Sequence, residues 1–478
     1  MLLGIDQGTT GTRACLVEPA TGRIVRQAYA AHEQHQPQPA WIEHDANEIW
    51  ACTQRVIAQV TGGTKPDGVA LANQGETVMI WDARTREALH HALVWQDGRT
   101  AAEVEVLARD PAIETRVRAL TGLRLDPYFS APKLRWLLDN VRRDGVRAGT
   151  LDTWLIDRLT GGAVFATDPS TAARTLLYDL ETGAWSPWLC ELFDIPVAVL
   201  PEIRDTDAGF GTCVGNGLDG VPILASVVDQ PGALIGQGCI DRGDAKATFG
   251  TGCFVYVNTG ETRAATGDTL ATVAWKRAGR TTYALDGGVL AVGSALGWLR
   301  GLGVLAGELE ALGPRRDAGV VCVPALVGLG APHWDRAARA AWLGMSSGTS
   351  RDDLVHAVVD GLCCRVAEVI AATEAAAGIT IDMLRADGGL TRSPALMQRQ
   401  ADLLGRPIAI AAEDEATVLG ACALAALRAG TLTEAALRAR KQTSRVRYEP
   451  AISDAERTAV RDRFARAVAA VRSYNSSV

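Results

Sequence analysis

The sequence predicts an α/β protein made of two similar halves, and three stretches carry that prediction. The chain opens with an apolar strand ending in a carboxylate, Leu2-Leu3-Gly4-Ile5-Asp6, then a turn, Gln7-Gly8-Thr9-Thr10-Gly11, then Arg13 and a second strand from Ala14 to Val17. The same order of strand, Gly/Thr turn and strand returns at Asp244 to Val257, with Gly250-Thr251-Gly252 as the turn. Between them an apolar run, Val221 to Val228, stops abruptly at Asp229-Gln230-Pro231-Gly232, and a helix follows from about Ala233. A strand that ends on a polar turn and feeds a helix is the arrangement in which open α/β sheets bind ligands, at the carboxyl ends of their strands.

Length agrees with two domains, since 478 residues exceed the usual size of one. The expected division is 1–238 and 239–478, with the boundary near Gly238 to Arg242, and it implies an internal duplication with nucleotide bound between the copies. A net charge of −7 without any run of Lys or Arg makes nucleic acid and anionic membranes poor candidate partners. No apolar stretch approaches the roughly 18 residues of a spanning helix, and the start lacks the charged and apolar regions of a signal peptide. The ten Cys form neither a C-x-x-C pattern nor a disulfide framework, and the seven His include no H-E-x-x-H. The expectation is a soluble, reduced, cytoplasmic protein.

Taken in order, a strand candidate at Ile24 to Ala28 is followed by a Pro-rich loop, Gln36 to Asp45, and a helix from about Ala46 to Val60. A buried strand, Gly68 to Ala72, ends at Asn73-Gln74-Gly75-Glu76-Thr77, and Val78 to Trp81 is the next. In the second half, apolar residues from Val355 to Ile370 recur at helical spacing, with Ser350 and Asp353 as a capping box and Gly378 as the stop. That helix reads as core. A short strand ends at Ala386-Asp387-Gly388-Gly389, Ala395 to Leu404 is helical, and an Ala-rich helix opens at Ala416. Only the last residues, Ser473 to Val478, read as disordered.

The chemistry begins with the first turn. Bent around a polyphosphate, it offers backbone N–H groups and two hydroxyls, because Gly8 and Gly11 allow close approach. Asp6 at the strand's end suits Mg²⁺ held through its water shell; the competing reading is an ordinary β-hairpin. Asp229, at the carboxyl end of a buried strand, is placed for general-base work, with partial burial raising its pKa; the competing reading is a cap for the following helix. Gly250-Thr251-Gly252 offers a second phosphate cradle, and Gly388-Gly389 a place where backbone lies flat against a planar ligand.

That order, with the stretches around it, resembles the FGGY carbohydrate kinases, and within them the glycerol-phosphorylating branch. The resemblance rests on Gly4-Ile5-Asp6-Gln7-Gly8-Thr9-Thr10, Pro39-Ala40-Trp41-Ile42-Glu43-His44-Asp45, Trp95-Gln96-Asp97 and Asp126-Pro127-Tyr128-Phe129-Ser130. It continues through Asp152-Thr153-Trp154-Leu155-Ile156, Phe249-Gly250-Thr251-Gly252-Cys253-Phe254, Gly328-Leu329-Gly330-Ala331-Pro332 and Ala386-Asp387-Gly388-Gly389 to Met397-Gln398, nearly the whole chain. It implies two actin-like (ribonuclease-H-like) ATPase domains with an interdomain cleft, closing over ATP-Mg²⁺ and a small polyol or sugar. By the same resemblance, Asp6 sits by the metal, and Thr9, Thr10, Gly11, Arg13 and Thr251 line the nucleotide phosphates. Gly293 and Gly389 lie by the nucleoside, Ser393 falls where Asn is usual, and Gly297 where Gln is frequent. Asp229 matches the catalytic base, Gln230 a substrate contact, and Glu76, Trp95 and Tyr128 positions that hold the substrate hydroxyls or wall the site. Family members are often dimers or tetramers, so a homodimer or homotetramer is implied.

One departure stands out. The glycerol-phosphorylating branch reads Asn-Gln-Arg-Glu-Thr where this chain has Asn73-Gln74-Gly75-Glu76-Thr77. Loss of the Arg removes hydroxyl donors and opens space, by order 1–3 kcal/mol of discrimination per lost interaction. Either a longer polyol (such as a tetritol or pentitol) is admitted or glycerol binding is weakened, or another side chain or a water replaces the Arg and glycerol stays the substrate. Rival classes fit less well. A chaperone or filament ATPase does not need Glu76, Trp95, Tyr128 and Asp229-Gln230 together, and a non-catalytic sugar sensor does not need Asp229. A ketose or pentose kinase is the rival within the family. Gly217-Leu218-Asp219-Gly220 stands where some members carry a Gly-Thr-Arg regulatory loop, so that regulation is not expected.

Overall fold

The apolar opening residues form β1 (Leu2–Gly8), which turns back tightly into β2 (Gly11–Val17) and β3 (Ile24–Ala31) as an antiparallel meander. On its other side β1 pairs in parallel with β4 (Gly68–Asn73), and β4 with β5 (Ile223–Val228). The five-stranded order is therefore β5-β4-β1-β2-β3. All six residues of β4 are buried, as expected of a parallel strand covered on both faces. In this computed structural model residues 1–264, 267–441 and 443–475 are described; the expected disordered tail lies partly outside them, and the helix before it runs to Asn475.

The second half repeats the pattern. β6 (Ala245–Phe249) and β7 (Cys253–Gly260) form an antiparallel hairpin, and β6 pairs in parallel with β8 (Leu384–Asp387). Beyond it β9 (Ile408–Ile410) is parallel to β8, and β10 (Val446–Tyr448) closes the edge antiparallel. Hairpin, then two parallel strands on the hairpin's first strand, is common to both halves, which is the topological form of the duplication inferred from the Gly/Thr turns.

Two compact units result. The first comprises Met1–Gly238, Ala271–Tyr283 and Glu415–Arg440, and the second Cys239–Leu270, Ala284–Asp414 and Lys441–Val478. The chain leaves the first unit at Gly238 and returns to it twice, which a single cut at 238/239 does not describe. The returns follow from packing. In the first, the Ala271 N–H donates to the Gly122 carbonyl at 3.0 Å, and the Thr206 N–H to that of Lys276 at 2.8 Å. In the second, the helix Ala416–Arg428 lies on β1, where a Cβ on Gly4 would come within 2.4 Å of Val418 Cγ2.

Helix ends follow their sequence signals. Asp45 caps Ala46–Thr61, its side chain accepting from the Asn47 N–H, and Gly62 ends the helix at a φ of 52°. Ser350 and Asp353 form the capping box of Arg351–Ala377, which Gly378 ends. Each unit has its own core, with Trp81 and Trp154 central to the first and Phe249, Val366 and Ile370 to the second. All ten cysteines are buried thiols, and among the described residues no helix is long and apolar enough to cross a membrane.

Candidate active site

Three adjacent parallel strands of the first unit deliver their carboxyl ends to one place. Gln7 on β1 pairs with Asn73 on β4, and Asn73 with Val228 on β5. Asp6, the loop Gln74-Gly75-Glu76-Thr77 and Asp229 therefore emerge side by side. Asp229 is the first residue of the helix Asp229–Gly236 rather than its cap, a place taken by Val228. Its Oδ1 accepts from the Gln230 N–H at 2.6 Å.

Asp6 carries the electrostatic signature of the site. Burial pushes its carboxyl up to about 7, and the carboxylates of Asp229 and Glu415 add to the rise, while Arg13 opposes it. Arg13 Nε donates to Glu415 Oε2 at 2.8 Å, and its guanidinium lies 5.2 Å from the centre of the Tyr29 ring. Three acidic side chains against one Arg leave an excess of negative charge, which suits a divalent cation. Among the described residues no cluster of three or more His, Cys, Asp or Glu is spaced to ligate an ion directly. Asp6, amid that acidic excess, is the carboxylate that would hold such an ion.

The first Gly/Thr turn is tied to Trp95, one of the residues expected to wall the substrate. Trp95 Nε1 donates to Thr9 Oγ1 at 3.0 Å, and the Trp95 and Tyr128 rings meet edge to face at 5.4 Å. Thr10 is exposed and accepts from the Tyr29 hydroxyl through its carbonyl at 2.9 Å. Gly11 also answers a packing constraint. A Cβ there would lie 2.5 Å from both the Ala30 carbonyl oxygen and the Tyr29 hydroxyl, so its missing side chain accommodates β3.

Glu76 is buried and stands at a φ of 58°, a conformation that side-chain-bearing residues seldom adopt. Ser130 Oγ donates to its carbonyl at 3.1 Å, and Arg174 Nε to its Oε1 at 2.6 Å. The space expected at Gly75 is not open. A Cβ there would come within 3.0 Å of Val228 Cγ2 and 3.7 Å of Arg174 Cγ.

In the second unit the expected nucleotide residues also gather. The Val292 N–H donates to the Thr251 carbonyl at 2.8 Å and the Gly293 N–H to that of Gly250 at 3.1 Å, which sets the start of the helix Gly293–Gly301 against the second Gly/Thr turn. Gly388, at a φ of 94°, passes so close to Phe249 that a Cβ would meet its carbonyl oxygen at 2.5 Å. Gly250, Gly297 and Gly389 have nothing within 4 Å of where a Cβ would stand, and so present open backbone faces. Ser393 is engaged locally: it caps the helix Pro394–Leu404 and donates to Glu310 Oε1 at 2.6 Å.

Three residues of the site escaped sequence reasoning. Arg174 and Glu415 sit in no recognisable pattern. Lys133 is fully buried, and its Nζ donates to the carbonyls of Pro127, Tyr128 and Phe129 at 2.8, 2.7 and 2.9 Å; burial lowers its pKa to about 7. A Lys beside Leu134, Leu137 and Leu138 was the available signal. Other motif residues are structural. Arg99 is held by Asp97 and Glu43 and lies 3.8 Å from the Trp41 ring centre and 4.5 Å from that of Trp136.

The duplicated hairpin-and-parallel-strand units, each with a Gly/Thr turn, define the actin-like class of two-domain phosphotransferases. The N-terminal domain of the FGGY family of carbohydrate kinases matches residues 1–236 and its C-terminal domain residues 245–429. The chain belongs to that family, and is an ATP-dependent phosphotransferase with an alcohol as acceptor. It is 46% identical to a glycerol kinase of Alkalilimnicola ehrlichii over 448 residues, 90% of each chain, and 43% identical to one of Thermus brockianus, covering 98% of this chain and 97% of that one. Among solved structures it is similar to the Plasmodium falciparum glycerol kinase with ADP, at a TM-score of 0.92 and 30% identity over 98% of each chain. A xylulose kinase of Rhodospirillum rubrum shares the fold, at a TM-score of 0.85 and 23% identity, covering 99% of each chain.

Proposed function

We propose that the protein transfers the γ-phosphoryl group of ATP to a terminal hydroxyl of glycerol, giving glycerol 3-phosphate. The observation that carries this reading is the convergence of Asp6, the Glu76 loop and Asp229 at the ends of β1, β4 and β5. The glycerol kinases among its relatives support the choice of polyol.

Glu76 accepts from the substrate hydroxyls, Trp95 and Tyr128 wall the carbon chain, and Gln230 adds a polar contact. Asp229 takes the proton of the attacking hydroxyl, which is worth about 10²–10⁴-fold in rate. The N–H groups of the Thr9-Thr10-Gly11 turn, with Arg13, bind the phosphates, as does Thr251 in the second unit, where Gly293, Gly297, Gly389 and Ser393 take the nucleoside. When bound, Mg²⁺ offsets charge on the phosphates, with Asp6 as its protein partner.

The second reading, a tetritol or pentitol as substrate, rests on the hydroxyl donors that Gly75 lacks. ADP release measured with glycerol, erythritol, threitol, ribitol, xylitol, arabitol and xylulose decides between them, with Asp229→Asn as the blank. Highest kcat/KM on glycerol supports the first reading. A longer polyol ahead by about tenfold, or 1.4 kcal/mol, replaces it with the second, and silence on every polyol overturns both.

A further inference from the structure

Arg174 pairs with Glu76 and packs beside the loop that carries it. It belongs to the turn that follows the short helix Pro169–Ala172. Its Nε donates to Glu76 Oε1 at 2.6 Å, with the two side chains only 3% and 5% exposed. Its guanidinium carbon stands 5.4 Å from the centre of the Phe129 ring, next in sequence to Tyr128. Its stem runs past Gly75, with Cγ 3.7 Å from where a Cβ would be, and the same Cβ would press on Val228, the residue before Asp229.

Glu76 needs such a partner. It is held at a φ of 58° by a tight turn in which the Thr77 N–H donates to the Gly75 carbonyl at 2.6 Å, a conformation that persists only where the surroundings impose it. A carboxylate this deeply buried also requires a paired cation to stay ionised and accept hydrogen bonds. A side chain at position 75 would crowd Val228 and the stem of Arg174, whereas Arg174 already pairs with Glu76.

We infer that Arg174 is the specificity-determining positioning residue of the polyol site: it fixes the buried Glu76 carboxylate, and so takes the place of the guanidinium that Gly75 lacks. This rests on the polyol reading of Glu76. Its consequence is that the site stays shaped for a three-carbon polyol despite Gly75. A Lys cannot substitute fully, because donation from Nε with the guanidinium carbon 5.4 Å from the Phe129 ring centre is a geometry that a point ammonium lacks.

The test is steady-state kinetics of Arg174→Lys, Arg174→Met, Glu76→Gln and the Arg174→Met/Glu76→Gln pair on glycerol and erythritol, with folding checked by urea denaturation. The expected result is a KM for glycerol raised about tenfold or more in Arg174→Met and less in Arg174→Lys. The KM for ATP stays within about twofold, and the glycerol-to-erythritol ratio of kcat/KM falls about fivefold, as expected when a contact to substrate hydroxyls is lost. The pair should lose much less than the product of the two single losses, because both act through one contact. A folded Arg174→Lys or Arg174→Met with glycerol KM and polyol ratio unchanged overturns the inference; if Arg174→Met does not fold, Arg174→Lys decides alone. Wild-type protein inactive on every polyol would instead overturn the functional reading itself.

Discussion

Gly232 and Gly420 meet backbone to backbone: a Cβ built on Gly420 would stand 1.8 Å from the Gly232 carbonyl oxygen. One turn on, a Cβ on Gly236 would stand 1.9 Å from the Ala416 carbonyl oxygen. The helix that Asp229 opens is thus seated on the helix Ala416–Arg428 at a crossing that admits no side chain at either point. Gly420→Ala should destabilise the protein by about 3 kcal/mol or more, at or beyond the usual range for overpacking because the clash is with backbone. Urea denaturation gives that number. Since the displaced helix carries Asp229, kcat should fall more than the KM for polyol rises; a Gly420→Ala protein as stable as wild type would show that the crossing relaxes.

Lys133 and the segment Pro127–Phe129 form a second such device. One buried ammonium donates to three consecutive carbonyls and so fixes the backbone that presents Tyr128. The Lys133 pKa is lowered to about 7 in the folded protein, against 10.5 for the unfolded chain. Between those values the unfolded state binds the extra proton, so stability rises with pH across the interval. From pH 7 to 9 wild type should gain about 2 kcal/mol on Lys133→Met, which has no such group. Parallel unfolding curves for the two proteins over that range would contradict it. The KM for polyol should rise in Lys133→Met, with the KM for ATP less affected.

Trp95, proposed to wall the polyol, and Thr9, in the turn proposed to bind phosphate, are joined by one hydrogen bond of 3.0 Å. Trp95→Phe keeps most of the ring surface and removes the donor; Thr9→Val keeps the shape and removes the acceptor. Each should raise the KM for both substrates modestly, and the pair should show a coupling of about 0.5–1.5 kcal/mol in kcat/KM. Strict additivity would mean that the two halves of the site are set independently.

The sequence made the hairpins legible because their signal is local: an apolar alternation broken by Gly and Thr, twice, and a strand that stops at Asp229. Helix limits were legible where caps are side chains, as at Asp45, Ser350 and Gly378. The return of Ala416–Arg428 to the first unit was not, because it depends on glycines 188 positions apart in sequence fitting together. Arg174 and Glu415 were invisible for a related reason: each acts on a partner brought close only by the sheet. Gly75 shows the limit from the other side. Read alone, a glycine in place of Arg signals empty space, whereas in the fold the place beside it is taken by Val228 and the stem of Arg174.

Asp6 and Asp229 are close enough for each charge to affect the other, yet the proposed roles separate them experimentally. Asp229→Asn keeps the shape and the local acceptor for the Gln230 N–H but cannot take a proton, so kcat should fall about 10²–10⁴-fold. Glycerol binding, read by ligand-induced stabilisation, should remain within a few fold. Asp6→Asn weakens the hold on Mg²⁺ instead, so its deficit should shrink as Mg²⁺ is raised, whereas that of Asp229→Asn should not. The contrast follows from what each carboxylate is asked to supply: added cation can offset a weaker ligand by mass action, but no cation concentration restores a missing base. An Asp229→Asn variant retaining a tenth of the wild-type rate would remove Asp229 from the base role and leave positioning as the source of catalysis.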